Sequence, residues 1–248
     1  MKEDIKSMYN KLAKAYYESR KNMTGTSYFY NELLEMPAMI RMLGDLKDKK
    51  VLDIGCGPGI YIEKIKDRCK QVKGIDISEG EVKIARTNNP GIEIVVGNAE
   101  NLPFRNCEFD VVFASLVLGH LDSWDRTLGE IRRVLKKNGI FCFSIHNPVT
   151  GALVSRKWFF RKFDVVKNYF EEKWNKRIWS EEIVGVKAES FHHHKTYETV
   201  IKSLIKNSFE IIDYEDCRPD FEAKKLFPEK YEETMNIPKF CVWKVRKK

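Results

Sequence analysis

The chain encodes an α/β architecture, a mostly parallel sheet flanked by helices, and three features lead there. Residues 47–147 alternate short apolar runs with helical patterns, the rhythm of strand–helix–strand crossovers. The apolar pair Val51-Leu52 runs directly into Asp53-Ile54-Gly55-Cys56-Gly57-Pro58-Gly59. A second apolar run, Val72 to Ile75, ends in Asp76. A buried strand, a glycine-rich turn, a helix and a strand tipped by an acid make a nucleotide-binding βαβ unit.

Each element has its own signal. In residues 1–46, Ile5, Met8, Leu12, Ala15 and Tyr16 recur at helical spacing, as do Leu33, Leu34, Met39, Met42 and Leu43. Thr24-Gly25-Thr26 separates the two helical stretches. Strands are expected at Lys50–Ile54, Gln71–Asp76, 92–96, Phe109–Ala114 and 139–146, with helices at 60–68, 79–87 and 123–136. Ser78 suits the N-cap of the second of these helices, and Asp122 or Ser123 that of the third. Residues 148–194 break the rhythm, setting Trp158, Phe159, Phe160, Phe163, Tyr169, Phe170, Trp174 and Trp179 among charges. They read as an inserted cap over the ligand-binding edge. A helix at 196–207 and strands at Phe209–Asp216 and 239–245 complete the core. The organisation is thus an N-terminal helical cover (1–46), a nucleotide-binding core (47–147), the cap (148–194) and the C-terminal part of the sheet (195–248).

Composition narrows the possibilities. A chain of 248 residues, 43% hydrophobic, builds one substantial core, with or without a small appendage. No run approaches the roughly 18 apolar residues of a membrane span. Met1-Lys2-Glu3-Asp4 leads into no signal-peptide core. Cys56, Cys69, Cys107, Cys142, Cys217 and Cys241 form no C-x-x-C pair, which fits reduced thiols in a cytoplasmic protein and argues against a zinc site. A net charge of +8 and a pI near 9.0 raise the possibility of a nucleic-acid partner. Acids interleave with the lysines almost everywhere, however, as Glu171-Glu172 and Glu181-Glu182 do, so a basic solvated surface is favoured.

The turn itself selects among nucleotides. A dinucleotide fingerprint G-x-G-x-x-G starting at Gly55 needs glycine at position 60, which is Ile60. Asp53, two residues before the first glycine, would oppose a pyrophosphate at the helix N-terminus. The same charge suits a ligand with an ammonium and a sulfonium. S-adenosylmethionine carries both, together with a ribose for Asp76.

With these residues in view, the chain resembles the class I S-adenosylmethionine-dependent methyltransferases of the small-molecule type, which have a seven-stranded Rossmann-like sheet. The resemblance is carried by residues 51–59, by Gly74-Ile75-Asp76-Ile77-Ser78, by Gly97-Asn98-Ala99-Glu100-Asn101-Leu102-Pro103-Phe104, by Phe109-Asp110-Val111-Val112, and by residues 133–139. It implies that Gly55, Cys56, Gly57 and Gly59 wrap the methionine arm and ribose, with Asp53 near the amino group. By the same resemblance Asp76 holds the ribose hydroxyls, Ile77 packs on the adenine, and Asn98, Ala99 and Glu100 edge it. Ser115 and Leu116 would floor the transfer site. Asn98 departs from the family's usual acid, though its amide oxygen can still accept from the adenine amino group. Tyr9-Asn10-x-x-Ala13-x-x-Tyr16 resembles an N-terminal motif in which an aromatic residue closes over the cofactor.

The implied reaction is an in-line displacement at the methyl group, yielding S-adenosylhomocysteine and a methylated small-molecule acceptor. Alignment and exclusion of water are the main demands on the protein, with a base needed only for a hydroxyl or ammonium nucleophile. The substrate-lining candidates are Tyr16, His120, His146 and His194, and the catalytic residue is left open. His192-His193-His194 is poorly disposed for a metal, since consecutive side chains do not converge on one ion. The aromatic insertion would form an apolar lid. Trp158, Phe159 and Phe160 beside Arg156, Lys157 and Arg161 would alternatively grip RNA. An RNA or protein methyltransferase and a catalytically silent cofactor-binding partner subunit are the competing readings. Either a monomer or a homodimer is compatible with the sequence.

Overall fold

A computed structural model describes residues 2–121, 123–158, 161–179 and 188–248. Helix α1 spans Lys2–Lys21. After the break at Gly25 a short α2 (Thr26–Tyr28) passes through a π-helical segment, Phe29–Glu35, into α3 (Met36–Leu43). The core follows as β1 (Lys50–Ile54), α4 (Ile60–Ile65), β2 (Gln71–Asp76), α5 (Glu79–Asn88), β3 (Glu93–Val96), β4 (Phe109–Ala114), α6 (Asp125–Val134) and β5 (Leu135–His146). Beyond α7 (Pro148–Gly151), β6 (Leu153–Trp158) pairs with β7 (Arg161–Val166), and β8 (Trp174–Trp179) with β9 (Ala188–His193). The chain closes with α8 (Tyr197–Lys206), β10 (Phe209–Asp216), α9 (Phe221–Leu226), α10 (Pro228–Asn236) and β11 (Phe240–Lys247).

The sheet has seven strands in the order β10-β11-β5-β4-β1-β2-β3. Strands β1 to β5 pair in parallel, and β11 runs antiparallel to both its neighbours. Period-two alternation divides the core into two layers. Val51, Val111, Phe113 and Cys142 pack with α3 and α4 on one face. Leu52, Val112, Ala114, Phe141 and Phe143 pack with α6 and α8 on the other. Burial on both faces is why these strands read as continuous apolar runs. It also brings the C-terminal tips of β1, β2, β4 and β5 to a single edge, where open parallel sheets take their ligands.

Several expectations are corrected. Helix α6 starts at Asp125 with Trp124 in the cap position and no side-chain cap bond, so Ser123 does not cap it; Asp122 lies outside the described residues. That helix ends at Val134 because Leu135 is extended and pairs with Phe109. Helices α9 and α10 were not expected; Asp220 caps the first by accepting from Ala223 N (3.0 Å), and Pro228 opens the second. The insertion, for which no strands were expected, forms two antiparallel strand pairs, β6–β7 and β8–β9. Phe163 and Phe170 are exposed, the latter by 85%. Phe159, Phe160 and Glu181-Glu182 lie outside the described residues, as do the side chains of Trp158 and Trp179.

Ser78 does cap α5, its hydroxyl accepting from Glu81 N at 3.2 Å. Asn10 then fastens α1 to that turn: its Oδ1 accepts from Ser78 Oγ (2.8 Å) and from Gly80 N (3.0 Å). Gly59 is the N-cap of helix α4, and its φ of +79° favours glycine. A Cβ there would lie 2.6 Å from Asn89 Nδ2 and 3.1 Å from Ala85 Cβ. Asn89 Nδ2 donates to Gly59 O at 3.1 Å. Gly59→Ala should therefore cost about 1–3 kcal/mol, read as a lower urea midpoint at unchanged m. An unchanged midpoint would show that the α4–α5 contact yields freely.

Candidate active site

The strand tips assemble a cradle. Gly55 N and Cys56 N both donate to Ile75 O, at 2.7 and 3.1 Å. Gly57 N donates to Asp76 Oδ2 (2.9 Å), and Ser78 N to Asp76 Oδ1 (2.8 Å). Gly55 and Gly57 have φ of 67° and 50°, and a Cβ on Gly55 would collide with Val117. The backbone is thus held close to a cavity of about 440 Å³. From the β1 side the cavity is lined by Asp53, Gly55, Cys56 and Gly57; from β2 by Asp76 and Ile77. Asn98 and Ala99 after β3, and Ser115 and Leu116 after β4, complete this half.

Two predicted cofactor residues lie elsewhere. Gly59 does not line the cavity; its glycine is required by the α4–α5 contact described above. Glu100 also stays off the wall, because Asn98 Oδ1 accepts from Glu100 N at 3.0 Å and curls the loop back on itself. That bond turns the amide oxygen of Asn98 toward its own loop. Asp110 is at the opposite end of its strand, accepting from Lys50 N (2.8 Å) and paired with Lys136 (2.7 Å).

The electrostatics are dominated by buried acids. Asp53 is 1% exposed, and its Oδ2 has no hydrogen-bond partner among the described residues. Burial, then the neighbouring Asp76, push its carboxyl well above the usual range. Burial also raises Asp76, opposed by the N–H groups it accepts from. Glu81 lines the same cavity from α5, 1% exposed, with both oxygens unpartnered among the described residues. Burial and then Asp76 push it up to about 9, with Arg20 opposing. Behind the wall, Glu35 is fully buried and accepts from Tyr61 Oη (2.5 Å), Ser144 Oγ (2.6 Å) and Ser115 Oγ (3.0 Å). Ser144 Oγ accepts in turn from Leu116 N (2.9 Å), a residue held at φ 57°. The π-helical segment is what aims Glu35 at these tips.

The roof comes from α1 and the segment after it. Tyr9, Tyr16 and Arg20 line the cavity, as do Tyr30 and Asn31. Tyr16 Oη donates to Asn31 Oδ1 at 3.5 Å. Arg20 Nε donates to Glu32 Oε1 at 2.8 Å; its Nη2 is 2.6 Å from the same oxygen but out of hydrogen-bond alignment. Tyr9 Oη and His120 Nε2 are 3.2 Å apart, and His120 Nδ1 lies 2.6 Å from Phe191 O. A carbonyl only accepts, so Nδ1 carries the proton and Nε2 presents its lone pair to the Tyr9 hydroxyl. Burial lowers the His120 pKa and keeps the ring neutral.

His146 lines the cavity, stacked on His192 with ring centroids 4.3 Å apart. His194 does not reach it: it is buried behind Gly151, its Nε2 bonded to Tyr169 O at 2.8 Å. The insertion contributes Ser190 and the Phe191 carbonyl to the site, while none of its described aromatic side chains lines the cavity. Among the described residues no cluster of His, Cys, Asp and Glu could hold a metal ion. Arg20, Glu35 and Glu81 were missed by sequence reasoning. Glu35 and Glu81 had a faint signal, acids at positions where the helical pattern turns inward.

A raised carboxyl makes stability depend on pH. The folded chain keeps a proton on Glu81 that the unfolded chain releases near the ordinary value of 4.5. This contribution is intact below that value and is lost as pH rises toward about 9. The ligand-free Glu81→Gln variant should match the parent at pH 5 and exceed it by at least ~1 kcal/mol at pH 8, measured by urea unfolding. Parallel curves at both pH values would contradict this.

Unpartnered buried carboxyl oxygens beside a glycine turn that borders the cavity fit a ligand bringing positive charge and hydroxyl donors. Comparisons with known proteins agree. Residues 52–143 match the family model described as a methyltransferase domain. An uncharacterised protein of Methanocaldococcus jannaschii is 34% identical over 85% of this chain and 78% of its own length. The ubiquinone/menaquinone biosynthesis C-methyltransferase of Campylobacter jejuni is 30% identical over 56% of this chain and 61% of its own. The crystal structure of an S-adenosylmethionine-dependent methyltransferase from Mesorhizobium loti covers 86% of this chain and 97% of its own, at 26% identity and a TM-score of 0.72. With motif, strand order and cradle in agreement, the chain belongs to the class I S-adenosylmethionine-dependent methyltransferases.

Proposed function

We propose that the chain transfers the methyl group of S-adenosylmethionine to a small-molecule acceptor by in-line displacement. The observation that carries this reading is the cavity of about 440 Å³ roofed by α1 and bordered by the insertion, a size suited to small ligands. The partial likeness to a quinone C-methyltransferase points the same way. When bound, the cofactor supplies an activated methyl on a sulfur that leaves readily. The chain's own residues bind, align and exclude water.

Asp53 would face the amino group and Arg20 the carboxylate of the methionine arm. Asp76, its two oxygens already fixed by backbone donors, would take the ribose hydroxyls. Ile77 and Ala99 would flank the adenine, with Asn98 at its edge. Ser115 and Leu116 would form the floor, held rigid by the bond from Leu116 N to Ser144. Tyr9, Tyr16 and His146 would border the acceptor. For an acceptor whose nucleophile carries a proton, the His120 Nε2 lone pair would take it, directly or through the Tyr9 hydroxyl.

S-adenosylmethionine and S-adenosylhomocysteine should raise the melting temperature while NAD does not. Asp76→Ala should weaken cofactor binding by more than ~1.5 kcal/mol, or about tenfold, by calorimetry. Equal affinity would remove Asp76 from the site. With an acceptor in hand, the parent's rate should fall as pH drops through the depressed His120 ionisation. His120→Ala should lose that inflection together with most of its rate, and an unchanged profile would dismiss the base.

A further inference from the structure

Glu81 is the one cavity carboxyl that neither the motifs nor the roles above employ. It projects from the first turn of α5, and its Oε2 lies 3.9 Å from where a Cβ on Gly57 would be. Two other buried acids at this edge have fixed donors: Asp76 takes Gly57 N and Ser78 N, and Glu35 takes three hydroxyls. Glu81 and one oxygen of Asp53 do not, among the described residues. The groups facing Glu81 are Asp76 of β2, Tyr9, Tyr16 and Arg20 of α1, and Cys56 of the glycine turn. Arg20 is the sole cation of that set and is itself paired with Glu32. Lys239 also lines the cavity but is paired with Glu233, so among the described residues no cation is left to match Asp53, Asp76 and Glu81 together, and a cationic ligand would supply that charge.

We propose that Glu81 is a further cofactor-binding residue, a carboxyl that gives up its proton when the cationic adenosyl ligand enters, so that capture of the cofactor is coupled to proton release. This rests on the methyltransferase reading above and deepens it. Without a cationic neighbour, burial and Asp76 favour the protonated form of Glu81, with Arg20 opposing. A ligand with two positive centres reverses that balance, because an opposite charge within a few ångströms favours the ionised carboxyl. A neutral adenosine derivative leaves it unchanged. The proton released from the Glu81 carboxyl passes to solvent buffer, and no other bond is made or broken.

The test is isothermal calorimetry between pH 5.5 and 7, where the ligand's own amino group stays largely protonated, in two buffers of different ionisation enthalpy. The parent should release protons on binding S-adenosylmethionine, and its affinity should rise about tenfold or more across that range relative to Glu81→Gln. Glu81→Gln should still bind, with proton release diminished by the Glu81 share. 5′-Methylthioadenosine, which has the ribose but neither positive centre, should bind both proteins without that difference. Equal proton release by parent and variant would overturn the proposal. So would the same release with methylthioadenosine, since Glu81 would then answer to the ribose rather than to charge. Glu81→Met provides the same comparison should the glutamine variant fold poorly. Absence of binding by every adenosyl ligand to both parent and variants would instead overturn the cofactor assignment on which the proposal stands.

Discussion

The ligand edge depends on one backbone oxygen. Ile75 O, at the end of β2, receives the N–H groups of both Gly55 and Cys56 as the chain leaves β1. That convergence locks the glycine turn to the neighbouring strand, and the bond from Gly57 N to the next side chain, Asp76, extends the lock by one more residue. The turn is therefore as rigid as the parallel β1–β2 ladder beneath it. It can hold its amides and its two aspartates in a fixed relation before any ligand arrives. Rigid placement of this kind is what a reaction governed by alignment demands.

Around the cradle the chain has divided its labour by element. The sheet supplies acids and a floor, while α1 and the Phe29–Glu35 segment supply a roof of tyrosines and a guanidinium. The two layers are stitched by polar side chains rather than by apolar contact alone. Asn10 joins α1 to the start of α5, and Glu35 joins the π-helical segment to the tips of β4 and β5. Both stitches lie within a few residues of the cavity wall. Displacing the roof would thus strand buried polar atoms at the floor, and such atoms are costly to leave unpaired.

The sequence disclosed what short-range chemistry determines. Strands β1, β2 and β4 were readable because both sheet faces are covered, which makes their residues continuously apolar. The glycine turn was readable because its left-handed backbone admits few other residues. Ser78 was readable as a cap from its own neighbours. Arg20, Glu35 and Glu81 were not, because each acquires its role from partners distant in the chain: Glu35 from Ser115 and Ser144, Glu81 from the docking of α1. The hairpins at β6–β7 and β8–β9 escaped notice for another reason. Their aromatic and charged residues are interspersed, and the buried positions of the last strand are the polar Ser190 and His192, so no apolar period emerges. His194 was drawn to the site by its proximity in sequence to the core, yet the bond to Tyr169 turns it away.

The contact of His120 with both Tyr9 and the Phe191 carbonyl has a consequence for how such an enzyme diversifies. Three stretches encoded far apart, the first helix, the loop after β4 and the last hairpin strand, meet at one imidazole. Among the described residues, the glycine turn beneath them takes its hydrogen bonds from β2 and not from the hairpins. A change in the β8–β9 hairpin that shifts the Phe191 carbonyl would accordingly reorient that ring, while the glycine turn and Asp76 keep their own hydrogen bonds. The imidazole and the glycine turn can therefore drift independently over evolutionary time, with a single main-chain oxygen as the hinge between the ring and the hairpin.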